Sequence, residues 1–233
     1  MVFSNNLLMG AAGQGGTPFS ISNTANGTPS VATGTTHTFS GLAFGDADDT
    51  RIIIIATSHC TNNNNGRYSS VTIGGVTATE IVTALANSAD DGLSGIFAAK
   101  VPSGTSGDVV ITLTASLGSN RALSCGVFAM YGKDSVSAYA TNNDSATSGL
   151  LSTLSLNVPA GGAVIGTTGH IATSSVTCTW VGATRINNQQ PGIRQKLSEA
   201  FSADLSAETP RTVTATWSGS AGVTSGAAAS YGP

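Results

Sequence analysis

The stretch Arg51-Ile52-Ile53-Ile54-Ile55-Ala56-Thr57 contains four consecutive isoleucines and no polar alternation. Isoleucine is branched at Cβ, which restricts its side-chain torsion and favours the β conformation. A continuous apolar run of this length is typical of a strand that is buried on both faces of its sheet. The stretch therefore predicts a central strand in a layered β protein.

The segments on either side of this stretch have the patterns of further short strands. Residues 108–115 alternate, with Val109, Ile111 and Leu113 on one face. Gly74-Gly75 separates two short segments in the manner of a hairpin turn. No segment offers ten residues of helical periodicity between capping residues. We therefore expect an all-β protein with very little helix.

The chain also repeats itself. The strand that ends in Ile55-Ala56-Thr57-Ser58-His59 has a counterpart that ends in Gly166-Thr167-Thr168-Gly169-His170. The separation between matched segments falls from 111 to 100 residues along the chain, as two copies with loop deletions in the second would produce. Turn signals about every 8–12 residues predict a β-sandwich in each copy. Three further pairs of segments match. Ala78-Thr79-Glu80-Ile81 corresponds to Ala183-Thr184-Arg185-Ile186, and Tyr131-Gly132 corresponds to Tyr231-Gly232. The alternating residues Val109, Ile111 and Leu113 correspond to Val213, Ala215 and Trp217.

These patterns predict an internally duplicated β-sandwich with an extended N-terminal arm. We expect the arm over residues 1–35, the first repeat over 36–132, a connection over 133–152 and the second repeat over 153–233. The repeats could form two tandem immunoglobulin-like sandwiches or interleave into a single jelly-roll-like unit. Alanines such as Ala200, Ala203 and Ala215 would give the second copy a thin core of its own, which favours the single unit.

The composition excludes several classes of function. Only 9% of the residues are charged and the net charge is −3, whereas charged residues make up about 25% of an ordinary soluble domain. No basic cluster of the kind that binds nucleic acid is present, and no apolar run is long enough for membrane insertion. The N-terminus lacks the basic region and the apolar region of a secretory signal. We expect a neutral surface of hydroxyl and amide groups, as in adhesins, fibres and shell proteins.

No set of residues predicts catalysis, a metal site or a cofactor. His59 and His170 are equivalent in the two repeats and Cys60 follows one of them, but no acid accompanies them to orient a catalytic base. Glu80 and the other glutamates are too scattered to form the carboxylate pair of a glycosidase. The chain is therefore not expected to be an enzyme.

Several polar or reactive residues have simple structural interpretations. Asp46, Asp48 and Asp49 supply only half of a calcium loop, so we interpret them as a turn. Cys125, Cys178 and Trp217 lie within apolar strand patterns and are predicted to be buried. The pattern around Trp180 does not distinguish a buried ring from an exposed one. We interpret Asp90-Asp91-Gly92 and Asn142-Asn143-Asp144 as turns as well.

One loop has the residues of a receptor or glycan site. It consists of Asn62, Asn63, Asn64 and Asn65, followed by Gly66, Arg67 and Tyr68. Amide groups can bond to sugar hydroxyls, and a tyrosine ring can stack on a sugar face. The alternative interpretation is an ordinary solvated loop.

The opening Phe3-Ser4-Asn5-Asn6-Leu7-Leu8-Met9-Gly10-Ala11-Ala12 resembles the N-termini of structural proteins of tailed bacteriophages. Four other segments resemble a β-sandwich module of such proteins: residues 70–76, 101–110, 159–164 and 229–233. The resemblance implies a virion location and multiple copies per particle. It brings no catalytic residues with it. A surface-type composition without a secretory signal fits a protein that is assembled in the host cytoplasm and released by lysis, or a mature protein from which a signal has been removed.

Together these features predict a surface-exposed fibre, spike or decoration protein of the virion. Its arm would anchor it through Phe3, Leu7, Leu8 and Met9, and it could contribute to host attachment. The partners implied are copies of the chain itself, with a trimer expected, other virion proteins and a host surface glycan. The alternative function is a carbohydrate-binding or adhesive module.

Overall fold

The computed structural model describes residues 17–30, 33–61, 66–87, 91–117, 121–172, 175–190 and 195–233. These residues form strands and turns but no helix, so the all-β prediction is confirmed. The first repeat contains β1 (Ser20–Ser30), β2 (Thr36–Ala43), β3 (Ile52–Thr61), β4 (Tyr68–Ile73), β5 (Val76–Thr77), β6 (Thr79–Ala86), β7 (Asp91–Lys100), β8 (Ser106–Leu113) and β9 (Leu123–Tyr131). The second contains β10 (Ala140–Gly149), β11 (Leu151–Val158), β12 (Gly162–Ile171), β13 (Cys178–Val181), β14 (Thr184–Gln189), β15 (Gln195–Leu205), β16 (Glu208–Trp217) and β17 (Gly222–Tyr231).

The two repeats have the same sheet topology, except that the short strand β5 of the first has no described counterpart in the second. In the first, inner sheet 1 has the order β1-β9-β3-β7-β6 and outer sheet 1 the order β2-β8-β4-β5. In the second, inner sheet 2 has the order β10-β17-β12-β15-β14 and outer sheet 2 the order β11-β16-β13. The strands of the described ranges pair within their own repeat, as the tandem arrangement predicts, so the preference for an interleaved unit was wrong.

The four sheets stack in the order outer 1, inner 1, inner 2, outer 2, with an apolar core in each of the three spaces. Ile53 and Ile55 of β3 face outer sheet 1, whereas Ile52 and Ile54 face inner sheet 2. The isoleucine run is therefore buried on both faces, because β3 is the middle strand of a sheet covered on both sides. The thin second core predicted from its alanines is compensated by this inter-repeat core, which both repeats share.

The strand register confirms that His59 and His170 are equivalent. His59 lies opposite Leu123 of β9, and His170 lies opposite Thr224 of β17. The same ladders correct the match of Tyr131 with Tyr231 by one residue, since Met130 and Tyr231 hold the equivalent places. One residue changes the face of a strand, and the buried ring of Tyr231 accordingly lies in the inter-repeat core.

Two strands lie where the sequence predicted an arm and a connection. Residues 20–30, assigned to the arm, form β1 on the edge of inner sheet 1, and residues 140–149, assigned to the connection, form β10 on the edge of inner sheet 2. Both are poor in large apolar residues because an edge strand has only one neighbour and part of its surface meets solvent. Backbone pairing with the last strand of each repeat holds them in place, and polar side chains such as Asn23 and Asn143 add bonds to backbone carbonyls of other strands.

Corresponding ends of the two repeats lie side by side. The hydroxyls of Ser58 and Thr167 bond at 2.7 Å, and the backbone amide of Ala122 donates to the side-chain oxygen of Gln195 at 2.6 Å. We call the end where β3 and β12 finish the apical end, and the opposite end the basal end. At the basal end, the amine of Lys133 donates to the carbonyl of Gly232 at 2.8 Å.

A buried arginine organises the basal end. The side chain of Arg51 is fully buried, and its guanidinium donates five hydrogen bonds of 2.6–2.9 Å to backbone carbonyls. The guanidinium has five N–H donors, so all of them are used. The bonds join the β2–β3 loop to the β7–β8 loop. The carbonyls belong to Gly45, Asp46, Val101, Ser103 and Gly104.

Candidate functional site

The apical end of the first repeat carries the described part of the predicted glycan loop. The guanidinium of Arg67 lies 3.2 Å from the carboxylate of Asp91, which is buried at the start of β7. About a third of the Arg67 side chain is exposed, at 37%. The backbone of Arg67 is fixed by bonds to the amide and hydroxyl of Thr114. Arg67 is thus a positioned, partly exposed cation, while Asn62, Asn63, Asn64 and Asn65 lie outside the described residues.

Tyr68 points inward rather than toward the loop tip. Its ring makes edge-to-face contacts with His59, at a centroid distance of 5.0 Å, and with Phe97, at 4.9 Å. Its hydroxyl donates to the carbonyl of Thr57 at 3.2 Å. Burial raises the pKa of this hydroxyl. The aromatic surface of Tyr68 that remains available lines the side of the sandwich, not its apical end.

Each repeat has a lateral pocket between the edges of its two sheets. The first lies between β4 and β6, has a volume of about 160 Å³ and includes Tyr68, Glu80 and Phe97. The second lies between β13 and β14, has a volume of about 420 Å³ and includes Trp180 and Arg185. Because β4 and β6 correspond to β13 and β14, the two pockets are counterparts that carry opposite charges.

The histidines and cysteines are embedded in the cores. Burial lowers the pKa of His59 to about 3, and neither of its ring nitrogens makes a hydrogen bond of normal geometry to a described residue. His170 stacks on Trp217 at 5.4 Å and shares a 2.8 Å hydrogen bond with the hydroxyl of Thr224. The burial predicted for Trp217 is confirmed, and Trp180 is buried as well.

The sulfhydryl groups belong to the apolar interior too. Cys125 and Cys178 are buried, as predicted, and so is Cys60. Burial raises the pKa of Cys178 to about 12 and raises that of Cys125 well above its usual range. Thiols with such pKa values are not reactive nucleophiles. Within the part of the chain that the structure describes, no three His, Cys, Asp or Glu side chains are grouped as metal ligands.

The acidic turn has its carboxylate occupied by neighbours. Asp48 accepts bonds from the amide of Thr50 at 2.7 Å and from its hydroxyl at 2.5 Å, and a third from the hydroxyl of Thr17 at 2.9 Å. The Thr50 bonds are the main cause that lowers the pKa of Asp48. These contacts are those of a turn-capping aspartate.

The turn interpretation was wrong for two other segments. Asn142, Asn143 and Asp144 lie inside β10, and Asp91 and Gly92 begin β7, whereas Asp90 lies outside the described residues. The β10 side chains bond to other strands instead. For example, the amide of Asn143 donates to the carbonyl of Thr83 on β6 at 2.7 Å.

The inter-repeat interface has a polar half near the apical end. The hydroxyls of Ser58, Ser94 and Ser225 form a chain of bonds of 2.8 and 2.9 Å, which Thr167 extends. Beside it, Glu199 of β15 is fully buried. Its burial raises its pKa to about 7, and the nearby hydroxyl of Ser124 opposes this shift only in part.

Among the described groups, the Ser124 hydroxyl lies beside the Glu199 carboxyl. Neither of its oxygens makes a hydrogen bond of normal geometry to a described residue. The burial of Glu199 could not be predicted from the sequence pattern, because it depends on which sheets face each other. The repeat alignment holds the only signal, because the equivalent residue of the first repeat is apolar Ile96.

No protein-family model, curated protein or solved structure gives a significant match to the chain. No helix capable of spanning a membrane occurs in the described ranges. Functional inference therefore rests on the geometry of the molecule itself.

Proposed function

We propose that this chain is a structural protein of a tailed-phage virion, carried on the particle surface as a fibre, spike or decoration and anchored by its N-terminal arm. The observation that carries the proposal is where the described residues next to its two predicted functional segments lie. Thr17, to which the arm is joined, bonds to Asp48 and contacts Gly132 at the basal end. Residues 62–65 come between β3, which ends at the apical end, and β4, which begins at Tyr68. An anchor and a recognition loop would thus lie at opposite ends of the protein.

The surface of the outer sheets supports the same function. The outward residues of β11 are Leu151, Thr153, Ser155 and Asn157, none of which is charged. In β2 the outward residues include Thr36, Thr38 and Ser40. Neutral, hydroxyl-rich faces of this kind suit a protein that packs beside copies of itself or faces the medium. Self-association into a trimer is part of the proposal, and sedimentation analysis of the purified protein tests it.

Deletion of residues 1–16 tests the anchor. In particles assembled with the truncated chain in place of the full one, we expect incorporation to fall to background while the purified variant unfolds at the same temperature as the full chain. A matched variant in which Asn62, Asn63, Asn64 and Asn65 are replaced by Gly and Ser should be incorporated normally. If the truncated chain enters particles at the full-length level, or if the full chain is absent from particles, the proposal fails.

A carbohydrate-binding module is the second candidate, and the first lateral pocket is the observation that favours it. The partly exposed ring of Tyr68 lines it together with buried Phe97, beside the side chains of Ser69, Ser70 and Thr77. Aromatic surface with a few polar groups is the usual composition of a sugar site. The substitution Ser70→Trp would fill the pocket from the outer sheet. If the unchanged chain binds sugars on a glycan array and Ser70→Trp does not, the result would support this candidate over a purely structural role.

A further inference from the structure

The space around Glu199 contains an unusual number of unpartnered polar atoms. Both carboxylate oxygens of Glu199, the oxygen and nitrogen of the Asn187 amide, and the amide oxygen of Gln189 are buried and make no hydrogen bond of normal geometry to a described residue. The Ser124 hydroxyl lies beside Glu199 and lowers its pKa in part, without satisfying the carboxyl group. Buried polar atoms are normally satisfied, and each exception calls for a physical reason such as a bound ion. Five such atoms on three neighbouring side chains indicate a site rather than isolated defects.

The strand register brings these three side chains together. Asn187 of β14 lies directly opposite Glu199 of β15, and Gln189 lies two residues farther along β14. Directly opposed residues have Cβ atoms about 4.5–5.5 Å apart, and alternate residues share a face. All three therefore point from inner sheet 2 toward inner sheet 1. The amide nitrogen of Gln189 reaches that sheet and donates to the carbonyl of Gly27 at 3.3 Å.

Inner sheet 1 leaves room for this cluster by presenting a glycine. A Cβ atom on Gly126 of β9 would lie 3.6 Å from Cγ of Glu199 and 3.6 Å from the amide oxygen of Asn26. Asn26 is exposed on edge strand β1, so the cluster borders the surface and has a route to solvent. Buried glutamate, amide oxygens and an entry path are the features expected of a cation site.

The charge of Glu199 has no counterpart among its described neighbours. Burial and the Ser124 hydroxyl account for its altered pKa, with no contribution from a lysine, arginine or histidine. The described groups around it include Ser124 and Gly126 on β9, Thr167 on β12, Asn26 on β1 and Asn187 on β14, and all of these are neutral. An ionised carboxylate in such surroundings needs a positive partner.

We propose that Glu199, Asn187 and Gln189 bind a hard, oxygen-seeking cation, Ca²⁺, between the two repeats. Carboxylate and amide oxygens are the ligands that Ca²⁺ takes, in flexible geometry, whereas zinc favours nitrogen and sulfur. With a single carboxylate, the affinity should resemble that of weak extracellular sites, with Kd about 10⁻⁴–10⁻³ M. The ligands belong to inner sheet 2, and Gly126 of inner sheet 1 packs over them. The ion would therefore strengthen the contact between the repeats.

Thermal unfolding of the chelator-treated full chain at pH 8, with and without CaCl₂, tests this site. At a concentration about 100 times Kd, we expect the midpoint to rise by about 5 °C or more. Glu199→Gln keeps the shape and removes the charge, so its midpoint should not respond. Glu80→Gln removes an exposed carboxylate of the same type and should respond as the unchanged chain does.

Two results would overturn the proposal. One is a midpoint of the unchanged chain that is insensitive to Ca²⁺ at pH 8, which would mean that Glu199 is accommodated by a proton alone. The other is an equal rise in the unchanged chain and in Glu199→Gln, which would place the ion elsewhere. Calorimetric titration of Ca²⁺ into both proteins gives an independent readout. The site is independent of the virion role, since neither the arm nor the apical loop contributes to it.

Discussion

Glu199 occupies in the second repeat the place that Ile96 occupies in the first. The β3–β7 and β12–β15 ladders align the two residues, and both face the core that the repeats share. The equivalent strands of the two repeats keep the same order in the inner sheets. One repeat therefore contributes an apolar contact to the interface and the other contributes a titratable group, so the stability of the interface should depend on pH.

The first prediction concerns that dependence in chelated buffer. Burial raises the pKa of Glu199 from 4.5 to about 7. The folded protein therefore binds the proton more tightly than the unfolded chain does, and stability should fall as the pH rises from about 4.5 to 7. The loss attributable to this group is about 3 kcal/mol. Glu199→Gln should abolish this slope, as urea denaturation at closely spaced pH values will show. An unchanged slope in the variant would assign the dependence to other groups.

The second prediction concerns Arg51. Replacement by Met would leave five backbone carbonyls at the basal end without their donor, although the side chain retains its apolar length. Because buried acceptors without partners cost about 1–3 kcal/mol each and the loops can relax toward water, we expect a loss of about 4 kcal/mol. Urea unfolding measures it.

Arg51→Lys should recover little of this loss, since an ammonium group has three donors and no planar fork. Arg185→Lys is the matched control. Arg185 is exposed, and its guanidinium donates to the carbonyl of Cys178 at 2.8 Å. Its variant should unfold within about 0.5 kcal/mol of the unchanged protein. Comparable losses in both lysine variants would contradict the role given to Arg51.

Much of the fold could be predicted because local patterns fixed it. The isoleucine run, the alternation in β8 and the repeated segments indicate buried strands and a duplication, and their physical causes lie within a few residues. The edge strands β1 and β10 were missed because backbone pairing stabilises them, and composition alone made them resemble loops. The alignment of Tyr131 with Tyr231 was displaced by one residue, because the similarity of two residues does not reveal which face of a strand each one occupies.

The polar sites were harder to predict because they combine distant segments. In the sequence, Arg51 is simply a charged residue that precedes a strand. Its acceptors in the β7–β8 loop lie about fifty residues away, so their contact with Arg51 could not be predicted locally. Glu199 reads as one of several scattered carboxylates, and its burial depends on the packing of one repeat against the other. Tyr68 lies next to a polar loop in the sequence, yet its ring turns into the core because β4 begins there.

The third prediction concerns close packing on β12. A Cβ atom on Gly166 would approach the ring of Trp180 to 2.9 Å, whereas one on Gly169 of the same strand would find ordinary contacts of 3.5–3.8 Å. Trp180 is held by a 2.9 Å bond from its indole nitrogen to the hydroxyl of Ser198, so its ring cannot move freely. Gly166→Ala should therefore cost about 1–3 kcal/mol and Gly169→Ala well under 1 kcal/mol. Equal midpoints of urea unfolding would show that the second core is more adaptable than this packing implies.

The fourth prediction concerns acid stability. Burial lowers the pKa of His59 from 6.5 to about 3, so the unfolded chain takes up this proton first and stability should fall as the pH drops below about 6.5. The loss is about 5 kcal/mol once the pH reaches 3. Between pH 4.5 and 6.5 it is offset by the opposite slope of Glu199, so the effect is best measured in Glu199→Gln.

In that background, His59→Phe removes the titrating group and keeps an aromatic ring against Tyr68. Phe also suits a site where neither ring nitrogen has a normal hydrogen bond to a described residue. The double variant should lose less stability than Glu199→Gln alone between pH 6.5 and 3, and should match it within about 1 kcal/mol at pH 7. Parallel pH profiles for the two proteins would mean that His59 becomes protonated without unfolding, through an opening of the apical end that admits water to its ring.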